Sequence, residues 1–210
     1  MKGRFLLYRV ALTGHRPKDI ARFCQGQNPY DLHNRFWMSA MNTMLAHVAE
    51  LLSQHPEGLE LHSGMALGAD TAWAGVIVIA RKRFGADKIR FVADCPLPTQ
   101  ASRWPAQSQA TWQKLVSLAD DVRYTTTGPY YKACMEERNQ QMINPSDECI
   151  AFWSGSTAGG TANGVRDAMN AGCRIYRIDP ADPSSGRYIY WTDPADPSTG
   201  RYDPSTGRYL

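Results

Sequence analysis

Short apolar runs alternate with amphipathic segments along most of this chain, from residue 5 to residue 179. The runs FLLYRVALTG, LELHSG, KIRFVADCP, DDVRYTT, ECIAFWSG and CRIYRID predict strands. The segments between them place apolar residues at helical spacing, and each is long enough to carry the chain back across a sheet. This alternation predicts an α/β fold, a Rossmann-like three-layer sandwich with a mostly parallel sheet.

Capping and turn residues divide the helical segments from one another. Asp31 is expected to cap the segment LHNRFWMSAMNTMLAHVAELLSQH, which stops before Pro56. Gly85 follows the Ala-rich segment DTAWAGVIVIARKRFG. Pro105 is placed in the first turn of the next helix, where its missing amide is tolerated.

The length and composition fit one globular domain. With 210 residues, of which 43% are hydrophobic, the chain is long enough for one sizeable core. No apolar run approaches the length of a membrane span, and the run near the N-terminus is too short for a secretory signal. We therefore predict a cytoplasmic protein without a membrane partner.

The cysteines and histidines indicate neither a metal site nor a disulfide framework. The five cysteines are scattered and form no CxxC pair, which favours buried thiols. The five histidines show neither HxxxH nor HExxH spacing. We therefore expect no bound metal and no cofactor.

The sequence changes character at residue 179, where Asp, Pro, Ser, Thr, Gly, Arg and Tyr predominate. The unit DPSSGRY or DPSTGRY occurs three times, starting at Asp182, Asp196 and Asp203. Pro after Asp, followed by Gly, is typical of successive turns, and so few aliphatic residues cannot form a core. We therefore divide the chain into a domain at 1–178 and a low-complexity repeat tail at 179–210. This tail is either flexible or a surface that docks a partner or the domain itself.

The charge of the domain is weakly basic. Residues 179–210 hold five Asp and three Arg, a net charge of −2, so the other 20 basic and 15 acidic residues give +5. Such an excess suits an anionic small ligand. Nucleic-acid-binding proteins usually carry stripes of Lys and Arg with interleaved aromatic residues, and none is visible. We therefore do not expect nucleic acid as a partner and keep single-stranded nucleic-acid binding as a third hypothesis.

Glycine-containing loops follow three of the predicted strands, at 13–17, 63–70 and 154–161. Glycine lets backbone amides approach an anion, and a helix N-terminus adds partial positive charge. The carboxyl ends of parallel strands lie at one edge of the sheet, where ligands bind. The three loops together predict a shared phosphate pocket, although any one of them is also explained by turn geometry alone.

Four side chains near these loops have alternative roles. Asp70 either stabilises the N-terminus of its helix or accepts a hydrogen bond from a ribose hydroxyl. Arg16 and Arg138 fit phosphate oxygens bidentately, whereas Arg138 also has glutamates of its own helix as partners. His15 is a general acid or base, a phosphate donor or a turn residue, and we favour the donor.

A series of motifs runs through residues 8–178: TGHRP, SGMALGAD, CPLPTQ followed by Trp104 and Trp112, ERNQQMINPSDECIAFWSG and GGTANGV. In this order they resemble the YpsA-like branch of the SLOG superfamily, a Rossmannoid group that also contains DprA-like and LOG-like proteins. The resemblance implies a pocket for a nucleotide or nucleotide-derived ligand, and homodimers. The ligand-binding residues that it implies are Gly14, His15, Arg16, Ser63, Gly64, Met65, Gly68, Asp70, Arg138, Asn139, Gly159, Gly160 and Thr161.

One departure from the LOG-like pattern concerns catalysis. LOG-like enzymes hydrolyse nucleoside 5′-monophosphates with a helix arginine and a glutamate after a PGGxGT loop. ERNQQM resembles the first motif and places Arg138 at the arginine, whereas GGTANGVRD has no glutamate. A carboxylate beside the ribose stabilises the oxocarbenium-like charge of glycosidic cleavage. The resemblance therefore implies a non-catalytic sensor or sequestering protein for an ADP-ribose-like or signalling nucleotide. A phosphoribohydrolase is the alternative, and no catalytic residue is assigned.

Overall fold

The computed structural model describes residues 6–189 and the backbone of residues 202–203 and 208–209. The strands are β1 Tyr8–Gly14, β2 Leu59–Ser63, β3 Ile89–Cys95, β4 Asp121–Tyr124, β5 Glu148–Phe152, β6 Arg174–Asp179, β7 Asp182–Ile189, β8 Tyr202–Asp203 and β9 Arg208–Tyr209. The helices are α1 Pro17–Ile20, α2 Arg35–Gln54, α3 Ala69–Phe84, α4 Ala106–Val116, α5 Cys134–Ile143 and α6 Gly160–Asn170, and a 3-10 turn follows α1 at Ala21–Phe23. Among the described helices, none is long and apolar enough to cross a membrane.

The main sheet has seven strands in the order β4-β3-β2-β1-β5-β6-β7. The first six run parallel, and β7 is antiparallel to β6. From β1 the chain builds the sheet first through β2, β3 and β4 on one side and then through β5 and β6 on the other. The strand order therefore reverses between β1 and β5, where open α/β sheets form a ligand crevice.

Helices cover both faces of the sheet, as the alternating pattern predicts. Along β1, Val10 and Leu12 belong to the larger core, which also contains Trp37 of α2 and Trp73 of α3. Ala11 points to the opposite face, because successive side chains alternate along a strand, and joins a smaller core with residues of α5 and α6. The predicted Rossmann-like three-layer architecture is confirmed.

The start of α2 differs from the sequence-based expectation. The side chain of Asn34 accepts a hydrogen bond from the amide of Trp37 at 2.8 Å and caps the helix. The prediction that Asp31 provides this cap is therefore wrong. Asp31 lies in a preceding turn, where its carboxylate accepts from the amide of His33 at 2.9 Å.

The first repeat unit, DPSSGRY, forms most of β7. This strand pairs with β6, and Thr43 of α2 donates a hydrogen bond to the carbonyl of Pro183 at 2.8 Å. Gly186 is required by this packing, because a Cβ at its position would lie 2.4 Å from ring atoms of Tyr176. The sheet therefore extends past residue 178, as far as Ile189.

The second and third repeat units, which start at Asp196 and Asp203, lie largely outside the described residues. The backbone segments β8 and β9 pair with each other in an antiparallel ladder. The expectation that these units form successive turns stays a prediction.

Candidate functional site

His15 connects the two strand ends at the crevice between β1 and β5. It directly follows β1, and its Nε2 lies 3.0 Å from both the amide nitrogen and the hydroxyl oxygen of Ser154, just beyond β5. Its Nδ1 lies 3.5 Å from the hydroxyl of Thr161 in the first turn of α6. The imidazole therefore holds both strand ends and the N-terminus of α6 together.

The contacts of His15 define its protonation. A backbone amide only donates, so Nε2, which accepts from the amide of Ser154, carries no proton. Burial lowers the pKa of His15 below 6.5, with a smaller opposing effect from Asp19. The neutral ring therefore carries its proton on Nδ1, directed towards Thr161. In this state His15 positions the loop and does not supply a positive charge.

A cavity of about 320 Å³ opens beside His15 at the N-terminus of α6. A Cβ added to Gly159 or Gly160 would meet no atom within 4 Å, so open space adjoins this backbone. No side chain caps α6 at Gly159, which leaves the first amides of the helix available to a ligand. The cavity is lined by His15, Lys18, Asp19, Arg22, Ser154, Ser156, Ala158, Gly159, Gly160 and Thr161.

Arg138 of α5 forms a second polar cluster with the loop after β2. Its guanidinium is buried, and its Nη1 lies 3.3 Å from Oδ2 of Asp70. Its Nε is buried without a hydrogen-bond partner among the described residues. A Cβ at Gly64 would lie 1.1 Å from Nη1 of Arg138, so only glycine leaves room for this side chain. Gly64 thus admits the arginine, and the alternative pairing of Arg138 with its own helix is not observed.

Arg16 lies near the same cluster and brings a second guanidinium. Burial lowers its pKa, the charge of Asp70 opposes this effect, and the charge of Arg138 adds to it. Within the described part of the chain, the side chain of Arg16 forms no hydrogen bond or ion pair, while its backbone carbonyl accepts from the amide of Asp19 at 3.0 Å. Two guanidinium groups thus lie near one carboxylate, although only that of Arg138 pairs with it, and the excess positive charge suits an anion.

The loop after β2 packs against the loop after β1. Gly68 has a φ of +96°, and a Cβ there would lie 2.6 Å from the carbonyl oxygen of His15. The amide of Ala69 donates to the same carbonyl at 3.2 Å. Ser63 stabilises the loop from inside, because its hydroxyl donates to the carbonyl of Asp70 and accepts from the amide of Met65. Glycine at position 68 therefore allows the two loops to pack closely.

The structure brings the predicted residues to one edge of the sheet, in two groups. His15, Gly159, Gly160 and Thr161 surround the cavity, whereas Arg16, Gly64, Asp70 and Arg138 form the arginine cluster. Gly14 and Ser63 are the last residues of β1 and β2, Met65 and Gly68 are packed in the loop after β2, and Asn139 is half-buried beside Arg138 on α5. That these residues bind a ligand stays a prediction.

Two basic residues of the cavity were not identified from the sequence. Lys18 and Arg22 lie in α1 and the 3-10 turn that follows it, and both line the cavity. The HRP motif gives a weak signal for this helix, because proline is favoured in a first helical turn. Pro17 is indeed the first residue of α1.

A larger cavity, of about 460 Å³, lies on the other side of Pro17. It is bounded by the loop before α2, including Tyr30 and His33, and by the first turns of α3 and α4. Of the predicted site residues, Gly68 alone is among its lining. Because this cavity lies away from the β1 and β5 crevice, we place the candidate site in the smaller one.

Comparison with known proteins gives a family and a relative. The model of the YspA SLOG family matches residues 10–182. The uncharacterized SPbeta prophage-derived protein YoqJ of Bacillus subtilis strain 168 is 24% identical over 162 residues, which cover 71% of this chain and 92% of that protein.

Two solved structures share the fold. DNA processing protein A of Helicobacter pylori, reported for its single-stranded DNA binding mode, matches with a TM-score of 0.50 and 16% identity over 81% of this chain. DNA processing protein A (DprA) of Streptococcus pneumoniae matches with a TM-score of 0.52 and 13% identity over 82% of it. This chain spans 64% and 50% of their respective lengths.

These neighbours correct the expectation about nucleic acid. The weak net charge led us not to expect nucleic acid as a partner, yet a protein of this fold binds single-stranded DNA. The net charge of a whole domain does not show whether a few basic residues lie together. Here four basic residues lie at one edge of the sheet: Arg16, Lys18, Arg22 and Arg138. The expectation is therefore wrong.

Proposed function

This chain belongs to the YspA SLOG family, and we propose that it binds a nucleotide or a nucleotide-derived ligand at the carboxyl edge of β1 and β5. The observation that carries this proposal is the cavity at the point where the strand order reverses, with the uncapped N-terminus of α6 and two basic side chains around it. Free amides at a helix N-terminus and a nearby positive charge are the features that receive a phosphate.

The arginine cluster supports a ligand with more than one anionic or polar group. Arg16 has free donors, and Arg138 has a buried Nε without a partner among the described residues. Each guanidinium carries five N–H donors, so one bond to Asp70 leaves most of them unused. An ADP-ribose-like molecule or a signalling nucleotide offers a second phosphate or a sugar to these groups.

Binding without hydrolysis is the reading that the side chains support best. Among the described residues that line the cavity, Asp19 is the one carboxylate. Asp70 is engaged by Arg138, and Glu137 accepts a hydrogen bond from the hydroxyl of Tyr131. Asp19 is thus the carboxylate of the cavity without a side-chain partner among the described residues, and it lies on α1, whereas the loop after β5 holds no glutamate where LOG-like enzymes carry theirs. This difference favours a sensor or sequestering protein over a phosphoribohydrolase.

A second candidate function is binding of single-stranded nucleic acid. It is favoured by the shared fold with DNA processing protein A of Helicobacter pylori. In this case the nucleotide in the cavity is one unit of a longer strand, and the phosphate contacts are the same.

The test is native mass spectrometry with AMP, ADP, ADP-ribose, NAD and cyclic nucleotides, with analysis of the solution for cleavage products. We expect a retained, intact ligand. Arg16→Ala is expected to weaken binding by about 10- to 150-fold, because a hydrogen bond to a charged group contributes about 1.5–3 kcal/mol. Its control is Lys82→Ala, which removes an exposed positive charge from the last turn of α3.

Two outcomes contradict the proposal. Release of base and ribose phosphate would make this protein a hydrolase, and the absence of binding to any of these nucleotides would remove nucleotide binding altogether. Equal affinities of Arg16→Ala and Lys82→Ala would exclude the arginine cluster from the site.

A further inference from the structure

Three exposed tyrosines lie at the carboxyl end of β4 and in the loop that follows it. Tyr124 is the last residue of β4, and Tyr130 and Tyr131 lie in the loop between β4 and α5. Their exposed fractions are 38%, 60% and 39%. We propose that these tyrosines form a stacking surface for the bases of a single-stranded nucleic acid whose phosphate lies in the cavity at β5. The inference rests on the proposed function and extends it to a strand.

The loop that carries these tyrosines is held against one face of α5. Near its start, the hydroxyl of Thr125 donates to the side chain of Gln141 at 3.1 Å. Near its end, the hydroxyl of Tyr131 donates to Glu137 at 2.5 Å. Glu137 and Gln141 are four residues apart and therefore lie on the same face of the helix. Both ends of the loop are thus fixed, which keeps the tyrosines in one region.

This region is continuous with the candidate site. Arg138 directly follows Glu137 on α5, which packs against β3. Burial raises the pKa of the Cys95 thiol at the end of β3, and the positive charge of Arg138 opposes this effect. Cys95 is the residue paired with Tyr124 in the sheet. Along the carboxyl edge, the tyrosines thus adjoin the arginine cluster, which in turn adjoins the cavity. Neighbouring strands lie about 4.8 Å apart, so the edge from β5 to β4 is roughly 19 Å long.

The chemistry of this edge fits a nucleotide strand better than a single nucleotide. Basic groups that follow the backbone, together with aromatic side chains on which bases stack, are the two components of sequence-tolerant single-strand binding. Lys132, exposed beside Tyr131, adds a positive charge next to the tyrosines. A mononucleotide in the cavity at β5 is too short to reach Tyr130, whereas a strand extends along the edge.

The experiment compares the affinity of the full chain for thymidine 5′-monophosphate with its affinity for an oligothymidylate of about six nucleotides. The variant is Tyr130→Ala, because Tyr130 is the most exposed of the three. The control is Tyr30→Ala, which removes a tyrosine of 49% exposure at the larger cavity. We expect Tyr130→Ala to weaken oligonucleotide binding by about 5- to 150-fold, which corresponds to the stacking of one base. Binding of the mononucleotide is expected to stay unchanged.

The outcomes separate this inference from the proposed function. If wild-type protein binds the mononucleotide and gains no affinity from the longer strand, the proposed function stands and the stacking surface is wrong. Equal oligonucleotide affinities of Tyr130→Ala and Tyr30→Ala would likewise overturn it. If wild-type protein binds neither probe, the stacking surface is wrong, and the panel of AMP, ADP, ADP-ribose, NAD and cyclic nucleotides decides the proposed function separately.

Discussion

Gly160→Val is expected to abolish nucleotide binding while the protein stays folded. Gly160 is the first residue of α6 and lines the cavity. A Cβ at this position meets no protein atom within 4 Å, and the backbone is not in the left-handed region. The branched side chain is therefore accommodated in the free protein, and it occupies space at the helix N-terminus that a phosphate needs. We expect affinity to fall at least about 100-fold, or about 2.7 kcal/mol.

The matched control is Ala106→Val, which introduces valine at the first residue of another helix. Ala106 begins α4 and is exposed. Calorimetric titration with the tightest nucleotide measures the affinities, and circular dichroism with thermal unfolding verifies the fold. Wild-type affinity in the Gly160→Val variant would exclude the N-terminus of α6 from the binding site.

His62→Leu is expected to destabilise the fold by about 3–5 kcal/mol, the cost of removing one partner from a buried ion pair. His62 lies in β2, is 1% exposed, and bridges two carboxylates. Its Nδ1 lies 2.7 Å from Asp94 and its Nε2 lies 3.0 Å from Glu60. Burial opposes the charged ring, but the hydrogen bonds with both carboxylates raise the pKa of His62 above 6.5.

The two carboxylates differ in their other partners. Glu60 also pairs with Arg9 at 3.0 Å and with Arg90 at 3.2 Å. His62 is the partner of Asp94 among the described residues, and Asp94 is 5% exposed. Loss of the imidazole therefore leaves a buried, uncompensated charge on Asp94. The double variant His62→Leu with Asp94→Leu is expected to recover much of the stability, because the charge and its partner are removed together.

The same cluster predicts how stability depends on pH. Because the pKa of His62 is raised, its contribution is complete below 6.5 and is lost as the pH rises through the raised value. The hydrogen bond with His62 is the main cause that lowers the pKa of Glu60 from 4.5 to about 2. The contribution of Glu60 is therefore present above 4.5 and lost as the pH falls towards about 2. The cluster stabilises most between these limits.

Urea unfolding of the wild type and both variants across this pH range measures these effects. In the two variants, we expect the decline in the free energy of unfolding above pH 6.5 to be shallower than in the wild type. A cost of less than about 1 kcal/mol for His62→Leu near pH 6 would contradict the stabilising role of this cluster, as would a double variant that is less stable than the single one.

The periodicity of the sequence predicts β1–β6 and α2–α6, because their hydrophobic patterns repeat at the period of each element, whereas the four-residue α1 is too short to show one. β7 was not predicted, since DPSSGRY has no alternation and contains the residues of turns. Its pairing depends on the fit of Gly186 beneath Tyr176 and on a hydrogen bond with α2. Such contacts join distant parts of the chain and leave no local pattern.

The contacts of the candidate-site residues likewise could not be predicted from the local sequence. The sequence places glycines at three strand ends, and the fold brings the loops to one edge. Two of these glycines are required by residues elsewhere in the chain, however. Gly64 leaves room for the side chain of Arg138, and Gly68 lies against the carbonyl of His15. Among the glycines of the predicted site, Gly159 and Gly160 have no such neighbour, and their backbone adjoins open space. The role of His62 was also missed, since its carboxylate partners lie on its own and a neighbouring strand.

The most direct test of nucleotide binding at the β1 and β5 crevice is an amide chemical-shift titration of the labelled protein with ADP. We predict that the largest shifts occur at Ser154, Gly159, Gly160 and Thr161, together with the ring resonances of His15. Shifts centred on Tyr30, His33 and Gln107 would place the ligand in the larger cavity and contradict the account, as would a spectrum that ADP leaves unchanged.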